Sequence, residues 1–171
     1  MDCGTIRRGL ALGHAFTSLA VLLTEILTPA HVVMPVAARD KSGVIAELTS
    51  HLIDRVGGNY AEVLGAIQER EAGGSTGIGF GVAIPHARAS GISALTLVCG
   101  VSRSPVPYDS IDGEPVNLFF LIVAPSGSAG MHVKVLSRIA GLVRSETVRR
   151  ELCQAETPYQ FYRVLLDAEA R

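Results

Sequence analysis

The amino-acid sequence predicts a single α/β domain in which helices cover the faces of a β-sheet. Helical patterns occur both before and after a set of strand patterns, which is typical of a sheet packed between helices. The chain has 171 residues, of which 48% are apolar and 18% are charged. This length and balance suit one globular domain with a buried core better than two domains or a disordered chain.

Two helices are predicted in the first half of the chain. The first lies within residues 40–58 and ends at a glycine pair. Its predicted buried face consists of Val44, Ile45, Leu48 and Leu52. The second helix begins at a capping box formed by Asn59 and Glu62 and ends near Glu71.

Three strands are predicted in the middle of the chain. Residues 82–84 form a short apolar run, and residues 94–102 alternate and are rich in β-branched side chains. Residues 116–124 are continuously apolar and end at Pro125, which is typical of a strand buried on both faces. The predicted sheet therefore contains a strand that needs cover from both sides.

Three further helices are predicted after the strands. One of them begins at a Ser145 cap, and the last combines Thr157 as cap, Pro158 in the first turn and Gln160 as capping-box partner. The first of the three lies within residues 131–143. Its apolar face is predicted to consist of Val133, Leu136, Ala140 and Val143.

Charge and cysteine content limit the possible functions. The net charge is −1 and the 15 basic residues are spread along the chain, so nothing favours nucleic-acid binding. The three cysteines are an odd number without a C-x-x-C pair, which indicates a reduced, cytoplasmic protein. The histidine and cysteine spacing matches no metal-site pattern, and we expect neither a metal nor another cofactor.

Residues 1–21 are interpreted as an N-terminal extension of a domain that spans residues 22–169. Two arginines followed by an apolar stretch resemble a signal peptide. However, polar residues interrupt the stretch, no small-residue cleavage site follows, and the apolar run is too short to span a bilayer. An upstream start codon is the simpler explanation, and no membrane insertion is expected.

A glycine-rich segment precedes the first predicted strand. The spacing of Gly77, Gly79 and Gly81 lets backbone amides approach a ligand, and successive amides in such a turn can bind an anion. The pattern is not a dinucleotide fingerprint, because that would need glycine at Val82 and a following helix. Since glycine runs also occur in simple turns, this segment alone is a weak signal for a phosphate loop.

Two histidines strengthen the signal for an anion site. His86 follows Pro85, which restricts the backbone, and a neutral imidazole is a nucleophile that can carry a phosphoryl group. Arg70 and Arg88 flank the segment and could bind phosphate oxygens. His132 lies at the start of a predicted helix, whose positive end favours an anion and disfavours protonation of this histidine.

Each of these residues also has a purely structural explanation. A single histidine is more often a surface residue than a catalytic one, Arg70 could end its helix, and Arg88 could be solvated. From the residues alone, the hypothesis is therefore a histidine-centred anion site.

The segment EREAGGSTGIGFGVAIPHAR closely resembles the active-site segment of enzyme IIA domains of the fructose/mannitol class in the bacterial phosphotransferase system. The segment MHVKVLSRIAGLV resembles that family's second histidine segment, and the resemblance extends from Leu22 to about Glu169. It implies a mixed sheet between helices. It also implies that His86 accepts a phosphoryl group from HPr or its nitrogen-branch counterpart, that His132 hydrogen-bonds this group, and that Arg70 stabilises its oxygens.

Within this class, the sequence is most similar to nitrogen-regulatory members, which bind regulatory target proteins according to their phosphorylation state. The alternatives are a sugar-specific IIA that passes phosphate to a IIB domain, a binding module without phosphotransfer, and a metal hydrolase using His86 and His132. Two residues depart from the family pattern. Phe80 stands where a polar residue is usual, which would remove a supporting hydrogen bond, and Ala87 replaces a glycine.

Overall fold

The computed structural model describes residues 21–171, in which two short 3₁₀ turns, Leu23–Glu25 and Pro29–His31, precede the regular elements. The predicted extension lies outside these residues except for its last position. The strands are β1 (Val32–Val33), β2 (Gly77–Gly79), β3 (Val82–Ala83), β4 (His86–Ala89), β5 (Thr96–Val106) and β6 (Val116–Pro125). The helices are α1 (Lys41–Val56), α2 (Tyr60–Ala72), α3 (Ala129–Leu142), α4 (Glu146–Gln154) and α5 (Pro158–Glu169).

The strands form one mixed sheet in the order β1-β5-β6-β3-β2. The central pair β5 and β6 is antiparallel, whereas β1 runs parallel to β5 and β3 runs parallel to β6. Strand β4 also pairs with β6, in parallel and further along the same edge as β3. The mixed sheet predicted by the family resemblance is therefore confirmed.

Strands β3 and β4 behave as one strand with a break at Pro85. Val82 pairs with Leu118 and His86 pairs with Ile122, so both strands keep the same register against β6. At the break, the amide of Ile84 donates to the Thr76 carbonyl at 3.0 Å, and the Pro85 carbonyl still accepts the amide of Ile122 on β6 at 3.0 Å. Because proline has no amide proton, Pro85 itself donates no hydrogen bond to a neighbouring strand. His86 is the first residue after this break.

The sheet is covered on both faces, as the continuous apolar pattern of β6 predicts. Helices α3, α4 and α5 pack on one face, and α1 and α2 pack on the other. Alternate side chains of β6 serve the two cores: Leu118, Phe120 and Ile122 face the first, and Phe119, Leu121 and Val123 face the second.

The helix boundaries predicted from capping residues are confirmed. The Asn59, Ser145 and Thr157 side chains accept backbone amides at the starts of α2, α4 and α5, and Gly57 ends α1 with a φ of 75°. The start of α1, which was not predicted from a cap, is capped by the Asp40 side chain.

Two side-chain assignments at these helix starts were wrong. Glu62 does not complete a capping box with Asn59; its carboxylate accepts the Ser90 hydroxyl at 2.5 Å. The Gln160 side chain accepts the amide of Glu156 and not that of Thr157. Long polar side chains can reach several nearby donors, so the sequence spacing does not select one.

The predicted buried face of α3 was partly wrong. Val133 is 62% exposed, and the stripe that packs on the sheet consists of Val135, Ile139 and Val143. Both faces satisfy helical spacing, because most positions of this segment are apolar. The packing of the helix on the sheet therefore decides between them. None of the helices within residues 21–171 is long and apolar enough to cross a membrane.

Candidate functional site

An open cleft of about 700 Å³ lies where β4 begins, between α2 and α3. Glu69 and Arg70 reach it from the end of α2, and His86 and Arg88 reach it from β4. The first half of α3 contributes His132 and its neighbours to the opposite wall. The fold thus brings together the four charged or titratable residues that the sequence analysis selected, although they are up to 62 positions apart in the chain.

Both ring nitrogens of His86 are hydrogen-bonded. Nδ1 lies 2.7 Å from the Ile84 carbonyl oxygen, and Nε2 lies 3.1 Å from Nε of Arg70. A carbonyl can only accept and a guanidinium can only donate. The proton of neutral His86 therefore resides on Nδ1, and the unprotonated Nε2 accepts the hydrogen bond from Arg70.

Arg70 is held by two contacts in the last turn of α2. Besides Nε, which donates to His86, its Nη1 donates to the Gly74 carbonyl at 2.9 Å. Gly74 lies two residues beyond α2, so this second contact fixes the chain that follows the helix. The same side chain thus holds the segment at the end of α2 and presents a positive charge at His86 Nε2.

His132 forms the opposite wall with a mostly buried side chain. Its ring lies 5.2 Å from that of His86 between centroids, tilted by 57°. Nδ1 of His132 is buried and has no hydrogen-bond partner within residues 21–171, whereas Nε2 is not a buried atom without a partner. An unpartnered buried N–H costs free energy, so the proton of neutral His132 belongs on Nε2, where it can be donated.

The start of α3 adds positive potential beside His132. His132 occupies the first turns of this helix, and the side chain of Ser128 donates to the Pro125 carbonyl and so does not cap the helix. The free amides of the first turn therefore favour the binding of an anion.

The environment keeps both histidines neutral. Burial lowers the pKa of His86 below its ordinary value, and the charge of Arg70 lowers it further, against opposing effects of the Ile84 hydrogen bond and the Glu71 charge. Burial also lowers the pKa of His132, and the charge of Arg88, together with that of His86 when it is protonated, acts in the same direction. Near neutral pH the cleft thus presents an unprotonated nucleophilic nitrogen and a neutral hydrogen-bond donor.

Arg88 lies on the exposed side of the cleft. Within the described part of the chain it takes part in no ion pair. Its guanidinium is therefore available to an anionic group that enters the cleft.

The three glycines predicted as a phosphate loop are not brought to the cleft, which corrects that expectation. Gly77 and Gly79 form β2, and the turn that ends at Gly81 leads into β3. A Cβ atom on Gly77 would lie 2.9 Å from the Cα of Ser110, and one on Gly79 would lie 2.9 Å from a carboxylate oxygen of Asp112. These glycines allow the 110–112 turn to approach, and no phosphate is needed to explain them.

Phe80 occupies the tip of this hairpin and does not line the cleft. Its amide donates to Asp112 at 2.9 Å, its φ is 56°, and its side chain is 69% exposed. The guanidinium of Arg149 lies 4.8 Å from the ring centroid. A left-handed backbone favours Asn over Phe, so the usual polar residue of the family suits this conformation. The geometry does not indicate that a polar side chain at this position would form a hydrogen bond to the histidine site.

Sequence reasoning missed the carbonyl that orients His86. The Ile84 carbonyl is a backbone atom without a sequence signature, although it directly precedes a proline. The pair formed by Glu71 and Thr76 also escaped notice; the Glu71 carboxylate accepts the Thr76 amide at 3.1 Å and the Thr76 hydroxyl at 2.5 Å. Glu71 indicated only the end of a helix, and Thr76 only the glycine-rich segment after it.

Comparison with known proteins shows which family this chain belongs to. Residues 25–168 match the model of the family described as phosphoenolpyruvate-dependent sugar phosphotransferase system, EIIA 2. The chain is 30% identical over 143 residues to a nitrogen regulatory protein of Bradyrhizobium diazoefficiens, covering 84% of this chain and 94% of that protein. It is 35% identical over 137 residues to the fructose-specific EIIABC component of Bacillus subtilis, covering 79% of this chain but only 21% of that longer protein.

Solved structures with the same fold agree. The nitrogen regulatory protein IIA-Ntr of Neisseria meningitidis superposes with a TM-score of 0.79 at 33% identity, covering 84% of this chain and 98% of that one. The Escherichia coli enzyme IIAMtl, solved in complex with phosphorylated IIBMtl, has a TM-score of 0.72 at 17% identity, covering 82% of this chain and 97% of that one. The second similarity concerns the fold alone.

Proposed function

Because this chain belongs to the phosphoenolpyruvate-dependent sugar phosphotransferase system EIIA 2 family, we propose that it is a phosphocarrier that accepts a phosphoryl group on Nε2 of His86. The observation that carries the proposal is the hydrogen bonding of His86. Its proton is held on Nδ1 by the Ile84 carbonyl, and Nε2 faces the cleft beside a cationic side chain.

Each cleft residue has a role in this transfer. The electron pair of Nε2 attacks the phosphorus of a phosphohistidine on the donor, and the donor's N–P bond breaks as the new N–P bond forms. Arg70 is placed to move from Nε2 to the phosphoryl oxygens, and His132 is placed to donate from Nε2 to the same group. Arg88 and the start of α3 add positive potential without burying the anion, so the phosphate can leave again.

The donor is an HPr-like phosphocarrier, and the transfer takes place where that donor is found, in the cytoplasm. The domain that carries it out comprises residues 22–169. A regulatory role like that of nitrogen-regulatory IIA proteins is supported by relatives that match over nearly their whole length. The client would then be a target protein that distinguishes the phosphorylated from the unphosphorylated form.

A sugar-specific role is the second candidate. It is supported by the identity to a fructose-specific EIIABC component and by the IIA fold that was solved with a phosphorylated IIB partner. The two roles differ in one measurable step, because only a sugar-specific IIA passes its phosphoryl group to a IIB domain. Labelled protein incubated with a fructose-class IIB domain would lose its label in that case and retain it if the role is regulatory.

The proposal is tested by phosphoryl transfer from phosphoenolpyruvate through enzyme I and HPr, or through the nitrogen-branch counterparts of both. Wild-type protein is expected to gain one acid-labile phosphoryl group that mass spectrometry locates on His86. His86→Ala should take up none, whereas His51→Ala, a matched histidine on α1, should behave as wild type. Wild-type protein that stays unlabelled with both donors would contradict the proposal and favour a binding module that holds an anion without phosphotransfer.

A further inference from the structure

Glu71 follows Arg70 in the last turn of α2, and its side chain is only 7% exposed. Its carboxylate accepts hydrogen bonds from the amide and the hydroxyl of Thr76 and pairs with Nζ of Lys41 at 3.1 Å. A buried carboxylate is stable only when its charge is compensated, and these three donors compensate it. Glu71 and Thr76 are therefore fixed relative to each other.

Thr76 connects this carboxylate to the nucleophile. The Thr76 carbonyl accepts the amide of Ile84 at 3.0 Å, at the break between β3 and β4. The carbonyl of the same Ile84 residue accepts the Nδ1 proton of His86 at 2.7 Å. An unbroken series of contacts thus runs from Glu71 to the ring nitrogen that carries the proton.

Glu71 also affects the partner of the second ring nitrogen of His86, Nε2. The segment between α2 and β2 is held at one end by Arg70, whose Nη1 binds the Gly74 carbonyl, and at the other end by Glu71, which binds Thr76. Ser75 adds a further attachment, because its hydroxyl donates to the Tyr108 carbonyl at 3.0 Å. Without the carboxylate, the segment would lose its attachment at Thr76, and the Gly74 acceptor would be less firmly fixed. The partners of both His86 nitrogens are therefore influenced by one buried side chain.

We propose that Glu71 is a positioning residue that sets the tautomer of His86 through Thr76 and Ile84. The inference rests on the proposed function, since the tautomer matters because Nε2 must be free to attack. With the proton kept on Nδ1, the donor's N–P bond breaks, its electron pair returns to the donor nitrogen, and a bond forms between phosphorus and Nε2. No proton has to leave His86 during the transfer.

The test compares four variants of the full chain with wild type, and a fifth variant serves for signal assignment. Glu71→Gln keeps the size of the side chain but removes its charge, and Thr76→Val removes the hydroxyl that Thr76→Ser retains. Asp54→Asn, which neutralises an exposed carboxylate on α1, is the control for charge. The first readout is the tautomer of unphosphorylated His86 from ¹⁵N NMR of the imidazole ring at neutral pH, assigned with His86→Gln. The second readout is the rate of phosphoryl acceptance from the labelled donor.

Glu71→Gln and Thr76→Val are expected to increase the share of the Nε2–H tautomer and to slow acceptance on the order of tenfold, as loss of an orienting partner does elsewhere. Thr76→Ser and Asp54→Asn should match wild type in both readouts. Folded Glu71→Gln and Thr76→Val proteins with an unchanged tautomer would overturn the proposal, even if their stability or rate were lower. If Glu71→Gln does not fold, the comparison of Thr76→Val with Thr76→Ser decides alone.

Failure of the proposed function gives a different result. Wild-type protein would then accept no phosphoryl group, while the tautomer measurement would still show whether Glu71 controls the His86 ring.

Discussion

His86 and His132 face each other across the cleft, with their ring centroids 5.2 Å apart, yet they are held in opposite ways. Both nitrogens of His86 have hydrogen-bond partners, whereas the buried Nδ1 of His132 has none within residues 21–171. The protonation site of His86 is fixed by the hydrogen-bond partners of its two nitrogens, and that of His132 is fixed by the absence of an acceptor at Nδ1. A nucleophile and a hydrogen-bond donor can thus be made from the same side chain by two different environments.

The walls that carry the two histidines differ in the same way. Helix α2 is attached to the β4 side at both ends, by Glu62 to Ser90 at 2.5 Å and by Arg70 to His86 at 3.1 Å. Helix α3 instead begins without a side-chain cap and leaves Val133 62% exposed at the cleft. The ordered wall suits a nucleophile that must not move, and the open wall suits access by a partner protein.

Among the following replacements, that of Arg70 should slow phosphoryl acceptance most, because it removes a partner of His86 and so disturbs the difference between the two histidines. Arg70→Lys cannot bind His86 and Gly74 together, since an ammonium lacks the fork of a guanidinium. We expect phosphoryl acceptance to slow about 100-fold, as when a preorganised donor to a developing charge is lost. The measurement is single-turnover labelling from the phosphorylated donor.

Arg163→Lys, an exposed arginine on α5, is the matched control for Arg70 and should match wild type. A rate for Arg70→Lys within twofold of wild type would mean that Arg70 serves only to end α2.

Replacing His132 should have a smaller effect, because it leaves the nucleophile intact. His132→Phe keeps the aromatic packing but removes the Nε2 donor, and we expect acceptance to slow about tenfold from the loss of one hydrogen bond. The His86 tautomer, read by ¹⁵N NMR, should not change. Ser137→Ala on the exposed side of α3 is the control. A changed tautomer at unchanged rate would show that His132 orients His86 and does not contact the phosphoryl group.

The pH dependence should separate the causes of the lowered pKa values. In wild type, both histidines should titrate below the ordinary value of 6.5, and acceptance should fall only as the pH drops through the lowered pKa of His86. Arg70→Gln removes a charge that lowers this pKa, so the fall should move to higher pH. Proton NMR titration of the His86 ring measures this shift directly, and a shift to lower pH would contradict the assignment.

Folding stability should follow the same titrations. Because the unfolded chain binds protons on these histidines at higher pH than the folded protein does, the free energy of unfolding is unaffected above about 6.5 and falls as the pH is lowered through the window between 6.5 and the folded pKa values. Urea unfolding at a series of pH values should show this slope, reduced in His86→Gln. An identical slope in that variant would assign the effect to other groups.

Replacing Phe80 should have the smallest effect, because this residue lies outside both walls. Phe80→Asn relieves a left-handed Phe but loses the contact with Arg149, so the free energy of unfolding should change by less than about 1 kcal/mol. The acceptance rate should stay within twofold of wild type. A large gain in rate would instead restore the idea that a polar side chain here supports the histidine site.

Much of the fold could be predicted from periodicity and capping residues. The pattern of β6 required cover on both faces, and Asn59, Ser145 and Thr157 start their helices as expected. Strands β1, β2 and β4 were not predicted, because runs of two to four residues carry too little periodicity to be distinguished from loops. The buried face of α3 was assigned partly wrongly for the opposite reason, since most positions of that helix are apolar and more than one face fits helical spacing.

The sequence by itself determined the layered architecture and the residues able to perform the chemistry, because apolar spacing and side-chain type are local properties of the chain. It selected His86, His132, Arg70 and Arg88 without showing how they are arranged. The tertiary structure alone decided that Gly77 and Gly79 pack against a turn, that Nδ1 of His86 faces a carbonyl, and that Glu71 binds Thr76. Those outcomes depend on backbone atoms and on distant segments meeting in space, and neither leaves a mark in the order of the residues.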